Sequence, residues 1–308
     1  MAGYVLRRLI QLVVVFIGVT LVIYLSVFVL PGQPIRSLAG YQQLPPSTIA
    51  TIEAHYHLNE PFFDQYGRYV WGLLHGDLGT DFYGNSVASL MAQRWPVTIC
   101  LAAMAWLFEI VFGVGIGLVA ALRRGKVTDH LALAVTMGLV AVPAFVAAYV
   151  AQLVFGVNWH IFPIAGLDQG WPMSYILPAA VLGAFGFASV SRLMRGSVLD
   201  SLQADFVRTA RAKGLPPRRV MLRHVLPNSL IGVLTYVAMD LGYLLSGTVI
   251  IEGVFNLPGI GQLLFTSIQE QEGTVVVGVA TALVLVFLVL NLIVDLLYGF
   301  VDPRIRLV

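Results

Sequence analysis

LIQLVVVFIGVTLVIYLSVFVL, residues 9–30, decides the architecture: it is 22 residues long and carries no charge. A helix of about 20 apolar residues crosses a bilayer core of about 30 Å, so this stretch reads as a membrane span. Arg7 and Arg8 precede it and Pro31-Gly32 stops it. It is longer than the apolar centre of a secretory signal, and no small-residue cleavage pattern follows. It therefore reads as a retained span. Five further stretches have the same character, over residues 96–122, 131–157, 173–193, 229–251 and 275–301. Six spans put both termini on one side.

The composition agrees. Of 308 residues, 58% are hydrophobic and 11% charged, with a mean hydropathy of +0.85. A soluble domain carries about 25% charged residues. So few charges cannot cover a water-exposed globule without large apolar patches. A soluble enzyme, a disordered chain and a nucleic-acid binder are excluded. The single cysteine, Cys100, excludes an intrachain disulfide and a cysteine-based metal cluster.

Lys and Arg set the orientation. With the N-terminus in the cytoplasm, 15 of the 18 basic residues lie inside, and only Arg36, Arg68 and Arg94 lie outside. Two loops are too long to be plain connections. The outer one, residues 31–95, predicts a helix over 48–56 and a second starting at Asn59 as N-cap. Phe62, Phe63, Tyr66, Tyr69, Val70, Leu73 and Leu74 form one stripe on that second helix. The inner loop, residues 194–228, is strongly basic. Leu199, Leu202, Phe206 and Ala210 recur at helical spacing. Gly214 can end that helix with a left-handed residue, and Pro216-Pro217 can open the next. A loop that only fixes topology needs charge, but not this helix–glycine–helix order. The pattern points to a knuckle that presses on a cytoplasmic partner.

Three carboxylates lie inside spans, Glu109, Asp240 and Asp295. Such groups are costly in a bilayer, so each is a candidate for the translocation pathway; the alternative is a polar pair that fixes packing. Asp240, in mid-span, could face that pathway. Gly113 and Gly117 make a G-x-x-x-G pair that lets helices approach closely. Pro143 and Pro178 predict kinks in the third and fourth spans. His55 and His57 have no carboxylate–cysteine set around them and are read as structural, with no metal site. No G-x-x-x-x-G-K-[ST] phosphate cradle occurs, so ATP hydrolysis is not expected of this chain. No hydrolase motif is present either, and the chain is read as a non-enzyme.

The run Asp205-Phe206-Val207-Arg208-Thr209-Ala210-Arg211-Ala212-Lys213-Gly214-Leu215 resembles the coupling loop of ABC importer permeases, whose pattern is E-A-A-x3-G-x9-I-x-L-P. Ala210, Gly214, Leu226 and Pro227 match it; Arg208, Thr209 and His224 depart from it, in a form similar to the dipeptide, oligopeptide and nickel branch. Gly76-Asp77-Leu78-Gly79, Ala121-Leu122-Arg123-Arg124-Gly125, the run from Glu252 to Gly261, and Asp302-Pro303-Arg304-Ile305-Arg306 resemble other segments of that branch. The chain is most similar to the first of two permease subunits of a dipeptide or oligopeptide importer.

The resemblance implies an all-α type I importer permease fold in the plasma membrane. The permease core would be residues 95–302, with coupling loop 195–228. The first span (1–30) and the outer segment (31–95) stand in front of it, and a tail (303–308) follows. Asp205, Arg208, Thr209, Ala210, Arg211, Lys213, Gly214, Leu226 and Pro227 would then form the ATPase-coupling loop. Glu252, Phe255 and Pro258 are candidates for an outer gate or for contact with a binding protein. The implied partners are a second homologous permease, two cytoplasmic ATPases that bind ATP and Mg, an extracytoplasmic substrate-binding protein, the lipid bilayer and a peptide. Nickel or another small solute is an alternative cargo. An ATP-independent channel or secondary transporter is the alternative class, and it leaves the helix–glycine–helix loop unexplained.

Overall fold

The computed structural model describes residues 2–28 and 60–301. The expected helix over 48–56, the Asn59 cap, His55 and His57, Pro31-Gly32 and the segment from Asp302 onward lie outside the described residues. Among the described residues the secondary structure is helical, with one isolated bridge between Thr80 and Ser86. The helices are α1 (Ala2–Phe28), α2 (Phe62–Leu74), α3 (Val87–Leu122), α4 (Val127–Ala141), α5 (Ala144–Ala151), α6 (Met173–Gln203), α7 (Asp205–Ala212), α8 (Pro217–Val220), α9 (Leu226–Phe255), α10 (Ile260–Gln269) and α11 (Gly273–Val301). Wide π-helical turns continue α5 over Gln152–Asn158 and lead from α8 into α9 over Met221–Val225.

Five helical stretches among the described residues are long and apolar enough to cross a membrane, or up to seven if each of two bent pairs is one span. The third expected span is one of those pairs. Val127–Ala141 and Ala144–Asn158 meet at 107°. Pro143 supplies no N–H, and Val142 before it is extended, as a residue preceding proline prefers. The expected kink is therefore a break. With 15 residues, α4 reaches only about 22 Å, short of a bilayer core. Pro178, by contrast, lies within a continuous α6. The helices also outrun the apolar stretches that announced them. α3 begins at Val87 rather than residue 96, and α6 runs on to Gln203 rather than residue 193. Hydropathy marks the lipid-facing part of a helix and misses its polar ends.

The described residues form two compact units, Met1–Thr98 with Pro258–Val308, and Ile99–Leu257. In the first, α1 runs along α11. Tyrosines hold α2 to both: Tyr66 Oη lies 2.9 Å from Thr20 Oγ1, and Tyr69 donates to Thr281 Oγ1 at 2.6 Å. Tyr24 contacts the rings of Phe62, Tyr66 and Tyr69. The expected aromatic stripe is thus only partly turned inward, because Phe63 and Leu74 remain exposed. Val87, Met91, Ile260, Leu263, Val275 and Val279 make the core of this unit. Thr98 Oγ1 accepts the Ile260 N–H at 2.8 Å, capping α10 from 162 residues away.

In the second unit α9 packs along α6, with α4 on α6 and α5 on α9. Its core joins Val190, Met194 and Val198 of α6 to Val233 and Val237 of α9. Val207, Ala210, Val220 and Val225, from the basic loop, belong to the same core. Gly113 and Gly117 seat α3 against α6. A Cβ at Gly113 would lie 2.6 Å from Val190 Cγ1, and one at Gly117 would lie 2.8 Å from Met194 Cβ and collide with the Ser191 carbonyl. This is the close approach that the G-x-x-x-G spacing predicts.

Candidate functional site

The basic loop is a packed element. α6 ends at Gln203 because Ala204 is extended (φ −68°, ψ 152°), and the Ala204 carbonyl then accepts the Val207 N–H at 3.0 Å to start α7. Asp205 occupies the first turn of α7 and Arg211 the last, both favourable to the helix dipole. Gly214 has φ +74°. Its N–H donates to the Arg211 carbonyl at 2.9 Å, and that of Leu215 to the Ala210 carbonyl at 3.3 Å. These two bonds make a Schellman cap, with Leu215 folded onto the core as its apolar partner. Pro217 then opens α8. Ser229 Oγ, at the base of α9, lies 3.1 Å from the Ser197 carbonyl and ties α9 to α6.

The inward face of α7 differs from the expected one. Val207 and Ala210 are buried, whereas Phe206 is 41% exposed. The extended Ala204 resets the helical register, so the stripe of Leu199 and Leu202 does not continue through Phe206. Asp205, Arg208, Thr209, Arg211 and Lys213 are exposed. Arg208 reaches Asp205 at 3.4 Å, but with side-chain exposures of 75% and 94% such a pair contributes little. α7 therefore presents Phe206 among cations and stands on a rigid base. Leu226 packs against the core, and Pro227 is exposed in the first turn of α9.

At the start of this loop lies an ion pair that sequence reasoning missed. Arg195 Nε donates to Asp129 Oδ1 at 2.6 Å and Nη2 to Oδ2 at 2.8 Å. The Gly125 N–H adds a third bond to Oδ2 at 2.9 Å. This two-pronged pair fixes the start of α4 to the lower part of α6. The acidic residue in the first turn of a helix was a local signal; its partner, 66 residues away, had none. Arg195→Leu is expected to lower the thermal stability of the detergent-solubilised subunit more than the double replacement Asp129→Leu/Arg195→Leu, because the single change strands a buried carboxylate. Equal unfolding temperatures for the two would count against the pair.

The three in-span carboxylates separate. Glu109 of α3 and Asp240 of α9 are brought together beside Gly186 of α6. Their carboxyl groups lie within hydrogen-bonding reach of each other, and a Cβ on Gly186 would collide with that of Glu109. The Tyr236 side chain lies one turn before Asp240 on α9 and is half-buried. One turn away, Trp106 Nε1 donates to the Val237 carbonyl at 2.9 Å and holds α3 against α9. Asp295 is elsewhere: it pairs with Arg8 of α1 at 3.0 Å. Such a pair is the packing alternative weighed in the sequence.

At the end of α9, Asn256 takes a left-handed conformation (φ 49°) and the Leu257 N–H donates to the Glu252 carbonyl at 2.9 Å. Gln152 Nε2 donates to the carbonyls of Ile164 at 2.7 Å and Val254 at 3.1 Å, and the Gly166 N–H to that of Phe255 at 2.9 Å. Glu252 and Phe255 are fully buried in these contacts, so of the two roles expected of them the structure offers a binding protein no surface on either side chain and leaves that of an outer gate. Pro258 is exposed. In the first unit, Gly76 and Gly79 both have positive φ in the turn after α2, and Gly79 faces Thr274 of α11. Nearby, burial and the charge of Asp81 push the Glu272 carboxyl above its ordinary range.

At least five helical stretches long and apolar enough to cross a membrane define a multi-pass membrane protein. The chain belongs to the family described as "Binding-protein-dependent transport system inner membrane component", which matches residues 113–307; the corresponding N-terminal family matches residues 1–102. It is therefore a multi-pass inner-membrane transport component, not an enzyme. It is 33% identical to the dipeptide transport system permease protein DppB of Escherichia coli, covering 99% of each chain. It is 37% identical to the oligopeptide transport system permease protein OppB of Haemophilus influenzae, covering 99% of this chain and all of that one. Among solved structures, an inward-facing MetNI methionine ABC transporter chain superposes with a TM-score of 0.57 at 17% identity, covering 70% of this chain and 97% of that one. An amino acid ABC transporter chain gives 0.54 at 14% identity, covering 68% and 93%. The fold is that of type I ABC importer permeases.

Proposed function

We propose that this chain is one of two permeases in an ATP-driven importer of di- or oligopeptides, and that α7 is the handle by which separate ATPases move it. The observation that carries the reading is the mounting of α7. Its cations and Phe206 are exposed, while Val207, Ala210 and Leu215 lock it into the core shared by α6 and α9. A push on α7 must be transmitted to those helices as a rigid-body motion. The handle consists of Asp205, Arg208, Thr209, Arg211 and Lys213 on the exposed face, Ala210 and Gly214 in the cap, and Leu226 and Pro227 at the base of α9. In this reading the basic loop faces the cytoplasm. The motor supplies ATP, Mg and their chemistry, and an extracytoplasmic binding protein delivers the peptide. The 33–37% identity to peptide permeases over nearly the whole chain supports peptide as cargo.

The test is uptake by vesicles holding the chain with a second permease, two ATPases and a binding protein. Labelled di- or tripeptide should accumulate only with hydrolysable ATP. Accumulation that persists with catalytically dead ATPases would overturn the reading in favour of a channel or secondary carrier.

A further inference from the structure

We infer that the cleft beside the α4–α5 break is a site for a primary ammonium group on an apolar body, the free amino terminus of a transported peptide, with Asp240 meeting the ammonium and Glu109 positioning it. The inference rests on the peptide-import reading and adds where, and by what chemistry, the cargo is held.

The cleft has a volume of about 350 Å³ and lies wholly within the unit Ile99–Leu257. Val142 and Pro143 at the helix break, Phe185 of α6, and Tyr243 and Ile250 of α9 line it, together with Gly186 and Asp240. Among the described residues of the lining, Asp240 is the one ionisable carboxylate, and the rest are apolar apart from the Tyr243 hydroxyl. Such a wall takes an apolar body with a single cationic head.

What stands behind Asp240 sharpens the choice of head group. Glu109 is 0% exposed. Among the described residues no N–H or O–H donor reaches either of its oxygens, or Oδ2 of Asp240. Two ionised carboxylates side by side in an apolar bundle repel, with no donor between them to offset it. One proton shared by the pair makes the missing hydrogen bond and leaves a single negative charge. That charge is directed at the cleft, because Glu109 is fully buried whereas Asp240 lines the cleft. A monovalent ammonium neutralises it without moving the proton. Neutral head groups gain nothing there, and a carboxylate head is repelled.

The broken helix gives the cleft its room. A continuous third span would run past α6 and α9 and close the space now bounded by Val142 and Pro143. Gly186 serves the same end from α6, because a side chain there would displace Glu109 from its partner.

The test uses the assembled nucleotide-free complex in vesicles and an apolar carbodiimide, dicyclohexylcarbodiimide. The reagent captures a protonated buried carboxyl: the acid oxygen bonds to the carbodiimide carbon and the acid proton passes to its nitrogen. Mass spectrometry should find the adduct on Asp240 or Glu109. Trialanine should slow labelling several-fold, whereas N-acetyl-trialanine should leave the rate unchanged. Asp240→Asn should remove the protection by trialanine. Absence of any adduct, equal protection by both peptides, or no protection by either would overturn the inference. The two readings fail separately. Protection without ATP-driven uptake sinks the import reading alone, and uptake without amine-dependent protection sinks this site alone.

Discussion

Gly117→Leu is expected to leave almost no folded subunit in the membrane, while Gly115→Leu, two residues earlier, inserts and folds normally. Both changes add the same apolar side chain to the same helix, so lipid solubility and helix propensity are matched. They differ in what the side chain meets. At Gly115 nothing lies within 4 Å of an added Cβ. At Gly117 a Cβ would collide with the Ser191 carbonyl and sit 2.8 Å from Met194 Cβ, both on α6. Met194 is itself fully buried in the core that joins α6, α7 and α9. Overpacking a core costs about 1–3 kcal/mol, and more where backbone must separate from backbone. Here the obstacle is a helix backbone, which has no rotamer to change. Protease resistance and membrane level of the subunit, expressed alone, would read the difference. Equal levels for the two variants would show that α3 and α6 are not in this register.

Gly214→Val is expected to abolish most uptake without affecting insertion, and Gly214→Asn to retain it. The Gly214 backbone is left-handed (φ +74°), and nothing lies within 4 Å of an added Cβ. The penalty is therefore conformational, roughly 1–2 kcal/mol for an ordinary L-residue and larger for a β-branched one; asparagine tolerates the region. A change of 1–2 kcal/mol shifts an equilibrium by a factor of about 5–30. That equilibrium is between the capped and uncapped ends of α7, so vesicle uptake should fall by up to such a factor. If valine transports as well as glycine, the cap is not part of the handle. If asparagine fails as badly as valine, the position matters for some reason other than its left-handed backbone.

These residues also show what could be read before the structure. The Gly214 turn was legible because a Schellman cap is local: glycine, the preceding helix and the prolines lie within a few residues. The G-x-x-x-G pair was legible because helical spacing puts Gly113 and Gly117 on one face. The break at Pro143 was visible as a proline but not as a bend of 107°, because packing on α6 and α9 decides how far the two halves part. The register of α7 was misjudged because nothing in Ala204 announces an extended residue. The meeting of Glu109 with Asp240, 131 positions apart in sequence, and of Asp129 with Arg195, 66 apart, required the fold. The pairing of Asp295 with Arg8 required it too.

The bond from Ile260 to Thr98 bears on how the chain is made. Ile99–Leu257 is one unbroken stretch, whereas the other unit is assembled from segments on both sides of it. As a nascent chain leaves the ribosome, Thr98 must wait for 162 further residues before its donor emerges. The part begun second is thus the first whose sequence is complete, and α1 stands without its neighbour α11 until the ribosome has passed residue 301.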